Sequence, residues 1–195
     1  MKTLKTIIAI LALSIFTFSC SKDNEDSKQK FPTEDFLEGY LAKSGFFQTS
    51  TGTINDQGLE LGLEFTPLVN GKITALKIKL PDTNAALSIT IWDQETKTPI
   101  ITETVNYTAI NVIKAFDIID LNLGKNKKYM ISIRSADYFY RRKDPQSATT
   151  YPITSGNIRI DRFAFGISGG GQTYPLINRD NIYIGDFSFD FEPTE

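Results

Sequence analysis

The most concentrated candidate binding feature of this chain is a run of aromatic and basic side chains at 138–143, Tyr-Phe-Tyr-Arg-Arg-Lys. An aromatic ring stacks on the apolar face of a sugar, and charged or amide groups bond the sugar hydroxyls. An arginine adds a planar pair of donors that fits a carboxylate or a sulfate. Three further residues, Tyr151, Tyr174 and Asn178, lie in predicted loops that would close on the same site. The candidate ligand-binding residues are therefore Tyr138, Tyr140, Arg141, Arg142, Tyr151 and Tyr174.

A structural interpretation competes with this binding hypothesis. Tyr138 and Tyr140 also fit the core or the edge of a strand, with the basic residues as its solvated end. Single exposed aromatic residues are common, and only contiguous patches indicate a binding surface. The structural interpretation is the favoured one for this run. Trp92, at the end of a predicted core strand, is interpreted as structural as well.

The best carboxylate pair for acid–base chemistry is Asp186 and Asp190, on one face of the last predicted strand. A spacing of four residues at ~3.3 Å each places them about 13 Å apart. Glycosidase pairs are closer, at about 5–5.5 Å in retaining enzymes and about 6.5–9.5 Å in inverting ones. A solvated strand face is therefore the favoured interpretation of this pair. The run Gly169-Gly170-Gly171 lacks the Gly-Lys-Ser/Thr of a phosphate loop and indicates a hairpin loop instead.

The chain contains no histidine and a single cysteine. The lack of histidine excludes Ser-His-Asp and Cys-His catalysis and His-ligated metals, and one cysteine cannot build a thiolate metal site. Oxygens of Asp82, Asn84 and Asp93 would suit calcium, but their spacing is not that of an EF-hand loop. We therefore expect no catalytic residue, no metal and no cofactor.

The cysteine itself, Cys20, follows a short apolar segment at 7–18 that begins after Lys2 and Lys5. This segment is shorter than the ~20 residues of a membrane-spanning helix, and its charged start is typical of a secretory signal. With the small Ser19 directly before the cysteine, the region resembles the lipobox of bacterial lipoproteins. The resemblance implies that the Cys20 thiol receives a diacylglyceryl group and that Cys20 becomes the mature N-terminus.

Two residues before the cysteine depart from the lipobox pattern. The family prefers Leu, Ile or Val where this chain has Thr17, and Phe18 is bulkier than usual. Thr17 and Ser19 would also suit ordinary signal peptidase, which would release a soluble protein with a free thiol. Lipidation is preferred because a free exposed thiol is a liability in an oxidising compartment. Two or more acyl chains would then give lasting membrane attachment.

The residues after Cys20 predict a flexible tether, because 21–30 contain nothing apolar to bury. Cys20-Ser21-Lys22-Asp23, with Glu25 and Asp26 behind, resembles the lysine-plus-acidic signal that exports some Gram-negative lipoproteins to the cell surface. We expect an outer-membrane lipoprotein displayed at the surface, with inward display as the alternative. The predicted boundaries are a signal at 1–19, a tether at 20–45 that includes a helix at 33–41 capped by Thr33, and a domain at 46–195.

Charge and length limit what the mature protein does. Of 21 basic residues, Lys2 and Lys5 leave with the signal, so 19 basic residues face 23 acidic ones. A mildly acidic protein is a poor nonspecific partner for nucleic acid, whose binding depends on phosphate neutralisation. The remaining length suits one domain that buries about 70% of the surface of its unfolded chain.

The hydrophobic pattern of 46–195 predicts an all-β domain. Leu76, Ile78 and Leu80 alternate with lysines, which is the period of a half-buried strand. Similar alternation, separated by turn signals such as Asn70-Gly71, predicts further strands at 87–92, 101–105, 116–121, 129–133, 158–165 and 183–191. This spacing is typical of an antiparallel β-sandwich of the jelly-roll type, with about eight or nine strands.

Four segments also resemble a domain-of-unknown-function family of secreted bacterial β-sandwiches. They are Leu61-Gly62-Leu63-Glu64-Phe65 with the following Asn70-to-Leu76 hairpin, Ile89-Thr90-Ile91-Trp92-Asp93, Lys128-Tyr129-Met130-Ile131 and Tyr183-Ile184-Gly185-Asp186-Phe187-Ser188-Phe189. Asn70 and Ala75 stand where the family usually has Asp and Gly. The family's modules accompany glycan-active and adhesive domains, so the resemblance implies carbohydrate-related work at the surface, without an established activity.

The sequence therefore favours a lipid-anchored β-sandwich that acts as a noncatalytic binding module for glycan. The first alternative is an adhesion or assembly module whose partner is a protein of the envelope, which an exposed apolar patch or edge strand would favour. The second is a glycan-active hydrolase, which would require a cleft with two carboxylates at hydrolase spacing.

Overall fold

The computed structural model describes residues 31–54, 58–145, 147–167 and 171–195. The predicted signal, Cys20 and Gly169-Gly170 lie outside these residues. Within them, no helix has the length and apolarity to cross a membrane. The part that begins at Phe31 forms one compact unit extending to Glu195.

The described chain is all-β with one short helix, which confirms the fold class predicted from the alternating pattern. The helix is α1 (Leu37–Ser44). The thirteen strands of the described residues are β1 (Phe47–Thr53), β2 (Leu59–Pro67), β3 (Gly71–Lys79), β4 (Asn84–Asp93), β5 (Pro99–Tyr107), β6 (Lys114–Leu123), β7 (Tyr129–Ser135), β8 (Asp137–Arg142), β9 (Ile153–Ser155), β10 (Ile158–Ile167), β11 (Ile177–Arg179), β12 (Ile182–Ile184) and β13 (Asp186–Pro193).

The strands pair antiparallel in three sheets. The large sheet has the order β11-β10-β2-β7-β4-β5, and β9 adds to β10. The second sheet has the order β13-β3-β6, and a small third sheet has the order β1-β8-β12. The large and second sheets form a sandwich, since Phe65 of β2 contacts Phe189 of β13 with ring centroids 4.8 Å apart.

The central strand β2 is buried on both faces, and this explains its sequence. Leu61, Leu63 and Phe65 point into the main core and are fully buried. Because side chains alternate along a strand, Glu60, Gly62 and Glu64 point to the outer face. A Cβ on Gly62 would lie 2.7 Å from the Met130 sulfur and 2.9 Å from Pro175, so only glycine fits beneath this covering.

The outer face of the large sheet carries a second, smaller core. Trp92 packs there with Met130 and Ala164, and Tyr174 contacts the indole edge-on at 5.8 Å. Trp92 is thus buried and structural, as the sequence predicts, although it lies outside the main core. The loop that contains Tyr174 and Pro175 covers this face of the sheet. The alternation of polar side chains along β2, such as Glu60 and Glu64, would instead suggest a face exposed to solvent.

The N-terminal described residues belong to the folded unit, whereas the sequence assigned 20–45 to a tether. Glu34 exchanges two backbone hydrogen bonds with Phe191 of β13, at 2.8 and 2.9 Å, and its carboxylate accepts both the backbone and the side-chain N–H of Asn157 at 2.6 Å. This pairing holds the chain extended, so α1 begins at Leu37 and not near Thr33. The N-cap residue, Phe36, makes no side-chain cap bond, and the Asp35 carboxylate before it accepts the Leu37 N–H at 3.0 Å.

Candidate functional site

A cleft lined mainly by polar side chains lies where three elements meet. It has a volume of about 620 Å³, within the usual range for ligand sites of about 300–1,000 Å³. We call it the polar cleft; its lining residues are Ala148, Tyr151, Arg162, Asn178, Arg179, Asp180 and Asn181.

The elements that form the polar cleft are tied together by backbone bonds. Arg162 lies on β10, and residues 178–181 extend from β11 into the turn before β12. β11 pairs with β10 through Phe163 opposite Arg179. The Thr149 N–H donates to the Asp180 carbonyl at 2.6 Å, which joins the loop before β9 to the turn between β11 and β12. Backbone hydrogen bonds therefore connect the three segments that line the cleft.

Tyr151 forms the aromatic wall of the polar cleft. Its hydroxyl lies 2.6 Å from the hydroxyl of buried Tyr40, and the two rings stack with centroids 6.4 Å apart. Burial raises the pKa of Tyr151 to about 12, because the phenolate would lose its hydration. Tyr151 therefore remains a neutral phenol across physiological pH, with its orientation set by Tyr40.

Arg162 is oriented by a buried carboxylate on the neighbouring strand. Its guanidinium bonds Glu64, and the Tyr174 hydroxyl donates to the same carboxylate oxygen at 2.6 Å. Burial and the Glu64 charge raise the pKa of Tyr174 well above its ordinary value, so it remains a donor. The Nε of Arg162 is buried and has no hydrogen-bond partner among the described residues.

β11 and the turn that follows it supply the polar groups that remain available for a ligand. The side chains of Asn178, Asp180 and Asn181 make no hydrogen bond to a described residue. Arg179 lies over the Phe165 ring at 5.5 Å and donates to the Asn178 carbonyl at 3.1 Å, and it forms no ion pair in the described chain. Donors and acceptors without partners thus surround a tyrosine ring, which suits a ligand rich in hydroxyl groups.

Two of the residues singled out from the sequence line this cleft. Tyr151 and Asn178 lie in it, and Tyr174 reaches it indirectly by bonding Glu64 behind Arg162. The other four, Tyr138, Tyr140, Arg141 and Arg142, lie on β8, whose partners are β1 and β12. The residues of the predicted run therefore do not line this cleft. The sequence led us to expect one site formed by this run together with the loop residues Tyr151, Tyr174 and Asn178.

The residues of β8 have structural contacts of their own. Tyr138 and Tyr140 are half-buried and pack against the main core, and the Tyr138 ring lies over Gly52, where a Cβ would overlap it. Arg141 donates from Nε and from a terminal nitrogen to the two oxygens of Asp186, each at 2.7 Å. These contacts agree with the structural interpretation of the run.

The face of β13 that carries Asp186 is covered, although its alternation predicted a solvated surface. Asp186 and Ser188 are buried, at 3% and 1% exposure. Asp186 bonds Arg141, whereas Asp190 bonds Lys77 at 2.5 Å. Each of the two carboxylates thus forms an ion pair, and their partners are different. Within the described residues, Asp180 is the single carboxylate that lines the polar cleft.

A second buried carboxylate, Glu60, lies on the outer face of β2. It is fully buried, and it accepts long hydrogen bonds from the Thr173 N–H at 3.3 Å and the Ser132 hydroxyl at 3.5 Å. The Trp92 indole donates to Ser132 at 2.8 Å. Burial raises the pKa of Glu60 to about 7, and the Thr173 bond and the Arg134 charge oppose this only in part.

No group of three or more acidic, histidine or cysteine side chains that would suit a metal occurs in the described residues. The oxygens considered for calcium serve turns instead. Asp82 accepts the Thr83 N–H and Asn84 accepts the Ala86 N–H. Asp93, at the far end of β4, accepts two N–H groups and pairs with Lys127 at 2.8 Å.

No pattern in the sequence indicated Arg162, Arg179, Asp180 or Asn181. Arg162 follows Asp161 on β10 and resembles any solvent-facing position of a strand. β11 and β12 have three residues each, which is too short for a period to be detected. Neither the models of known protein families nor the curated proteins match this chain. The family resemblance described above therefore stays a prediction.

Proposed function

We propose that this protein is an outer-membrane lipoprotein, anchored by acyl chains on Cys20 and displayed at the cell surface, whose β-sandwich binds glycan without catalysis. The observation that carries the binding proposal is the polar cleft. It combines the Tyr151 ring with the side chains of Asn178, Asp180 and Asn181, which make no hydrogen bond to a described residue, and with the guanidinium groups of Arg162 and Arg179. Such groups recognise vicinal hydroxyls by simultaneous donation and acceptance.

The carboxylates of the described residues support binding over hydrolysis. A glycosidase requires two carboxylates about 5–9.5 Å apart across the scissile bond. Asp180 is the one carboxylate lining the cleft in the described chain, and Glu64 behind it is bonded to Arg162 and Tyr174. A groove with one available carboxylate can hold a sugar, but it lacks the second group that catalysis requires.

A glycan array with purified residues 22–195 tests the binding proposal. Arg179→Ala and Asn181→Ala remove groups of the polar cleft, and each is expected to weaken binding at least tenfold, ~1.4 kcal/mol. Arg142→Ala is the matched control, because it removes an arginine of β8 that does not line the cleft. Binding that is lost in Arg142→Ala but kept in Arg179→Ala would refute this location, and a wild-type protein that binds nothing would refute glycan binding.

The anchor is tested separately on the native protein. Mass spectrometry is expected to show an acylated N-terminal Cys20, and Cys20→Ala should release the protein from membranes. Protease treatment of intact cells should then digest a surface-displayed protein. Survival of the protein until the cells are lysed would contradict surface display while leaving the anchor intact.

The second candidate function is docking to an envelope protein, which the loop between β5 and β6 favours. Ile110, Val112 and Ile113 are each about half exposed, at 52%, 51% and 54%. Adjacent exposed apolar side chains are typical of interaction surfaces. Cross-linking in cells, followed by comparison of wild type with Ile110→Ser/Val112→Ser, would show a partner that depends on this loop. Unchanged cross-links would argue against this second candidate.

A further inference from the structure

A second cleft, separate from the polar cleft, lies beside α1 and is lined by both apolar and charged side chains. It has a volume of about 330 Å³. We call it the amphiphilic cleft; its lining residues are Asp35, Leu37, Glu38, Leu41, Lys79, Ile113, Arg141 and Asp186. None of these residues lines the polar cleft, so nothing proposed for that site bears on this one.

Most of the charges of this cleft already have partners. Asp186 is 3% exposed, and both of its oxygens accept hydrogen bonds from Arg141 at 2.7 Å. Asp35 accepts the Leu37 N–H with one oxygen and contacts the Lys77 ammonium at 3.2 Å with the other. These two carboxylates therefore have little capacity left to hold a cationic ligand.

Lys79 is the cation of this cleft whose only ionic contact is a long ion pair, with Asp186, and whose ammonium makes no hydrogen bond to a described residue. It lies 4.7 Å from the centre of the Phe139 ring and 4.0 Å from the nearest oxygen of Asp186. Neither contact is a hydrogen bond, and Lys79 makes none to the other described residues. Three N–H donors are thus held in place beside an apolar wall.

The apolar wall is held by a backbone that has little freedom. Leu37 and Leu41 project from α1, and Ile113 projects from the loop between β5 and β6. The Tyr107 hydroxyl donates to the Val112 carbonyl at 2.8 Å, and the Asn111 N–H donates to the Leu80 carbonyl at 2.9 Å. Ile113 is therefore presented to solvent by a fixed loop, and a ligand would bind without having to order it.

We propose that the amphiphilic cleft binds a small amphiphile that has an aliphatic body and one carboxylate. The aliphatic part would lie against Leu37, Leu41 and Ile113, and the carboxylate would accept hydrogen bonds from Lys79. A charged N–H···O contact of this kind is stronger than a neutral one.

Titration calorimetry of residues 22–195 with three probes of equal chain length tests this proposal. Octanoate carries the proposed head group, octanol is neutral and octylammonium is cationic. We expect octanoate to bind at least tenfold more tightly than either of the other two probes. Equal affinities, preference for octylammonium or the absence of octanoate binding would overturn the proposal.

Three variants locate the binding. Lys79→Gln is expected to weaken octanoate at least tenfold and to leave octanol unchanged, because it removes the charge and keeps the length. Ile113→Ser should weaken both probes, since it removes apolar contact from an exposed position that folding does not need. Lys114→Gln is the matched control, because it removes a neighbouring lysine that does not line the cleft. If Lys79→Gln fails to fold, the comparison of the three probes and the Ile113→Ser variant still decide the proposal. If Ile113→Ser leaves the affinity for octanoate unchanged, the proposal is refuted.

Discussion

Because the Glu60 carboxylate is buried, we expect the free energy of unfolding to depend on pH in an unusual way. The substitution Glu60→Gln should remove this dependence. The carboxylate is fully buried, and burial raises its pKa from an ordinary 4.5 to about 7. In the unfolded chain the side chain is hydrated and loses its proton near 4.5. Between these two values the folded protein binds a proton that the unfolded chain does not, so stability falls as the pH rises.

The size of the effect follows from the two pKa values. Each pH unit in this window changes the free energy of unfolding by ~1.4 kcal/mol, so the whole window is worth about 3 kcal/mol. The contribution is absent below pH 4.5 and complete above pH 7. Glu60→Gln keeps the shape of the side chain and has no charge to bury. We expect it to stabilise the protein by about 3 kcal/mol at pH 8 and to change little at pH 4.5.

Urea unfolding of wild type and Glu60→Gln at several pH values between 4.5 and 8 measures this difference. Glu95→Gln is the control, because Glu95 is exposed in the turn after β4 and its loss should leave the pH profile unchanged. A difference between wild type and Glu60→Gln that stays constant with pH would refute the reasoning. A wild-type stability that rises between pH 4.5 and 7 would refute the raised pKa of Glu60 if Glu60→Gln shows the same rise.

Two further substitutions test the contacts of β8. Asp186→Asn should lower the free energy of unfolding by about 3–5 kcal/mol in denaturant, because it leaves Arg141 without its buried partner. Asp190→Asn, on the same face, is the control and should cost less than about 1 kcal/mol. Lys77 keeps its contact with Asp35 in this control, and the pair is more exposed. Equal costs would show that Asp186 is not a buried pair. Gly52→Ala should lower stability by about 1 kcal/mol, because its Cβ displaces the half-buried Tyr138 ring. Gly124→Ala is the control and should change the melting temperature far less, since its Cβ would meet its nearest neighbour at 3.8 Å. A Gly52→Ala variant as stable as wild type would contradict the contact between Gly52 and Tyr138.

The sequence pattern predicts the strands that have one apolar face and are long enough to show a period. Leu76 and Ile78 are buried and alternate with the more exposed Lys77 and Lys79 on β3. The same reasoning fails where both faces are covered. Glu60 and Glu64 alternate like solvated residues, yet a later loop buries them, and no local pattern contains that information.

The candidate site is less predictable than the fold, because a site depends on which residues pair. Tyr151 and Asn178 could be chosen as aromatic and amide residues in loops, and both line the polar cleft. Arg141 belongs to the same class of candidate, but two of its nitrogens donate to Asp186. The sequence shows that an arginine is present and does not show which carboxylate it meets across the sandwich.

The attachment of the N-terminal residues determines how the domain would bear a mechanical load. Glu34 is bonded to Phe191 in the second sheet and to Asn157 beside the large sheet. A pull on the chain at Phe31 would therefore be shared between the two layers at once. Such a load acts on several bonds in parallel, in two layers of the domain, before it reaches any one strand alone.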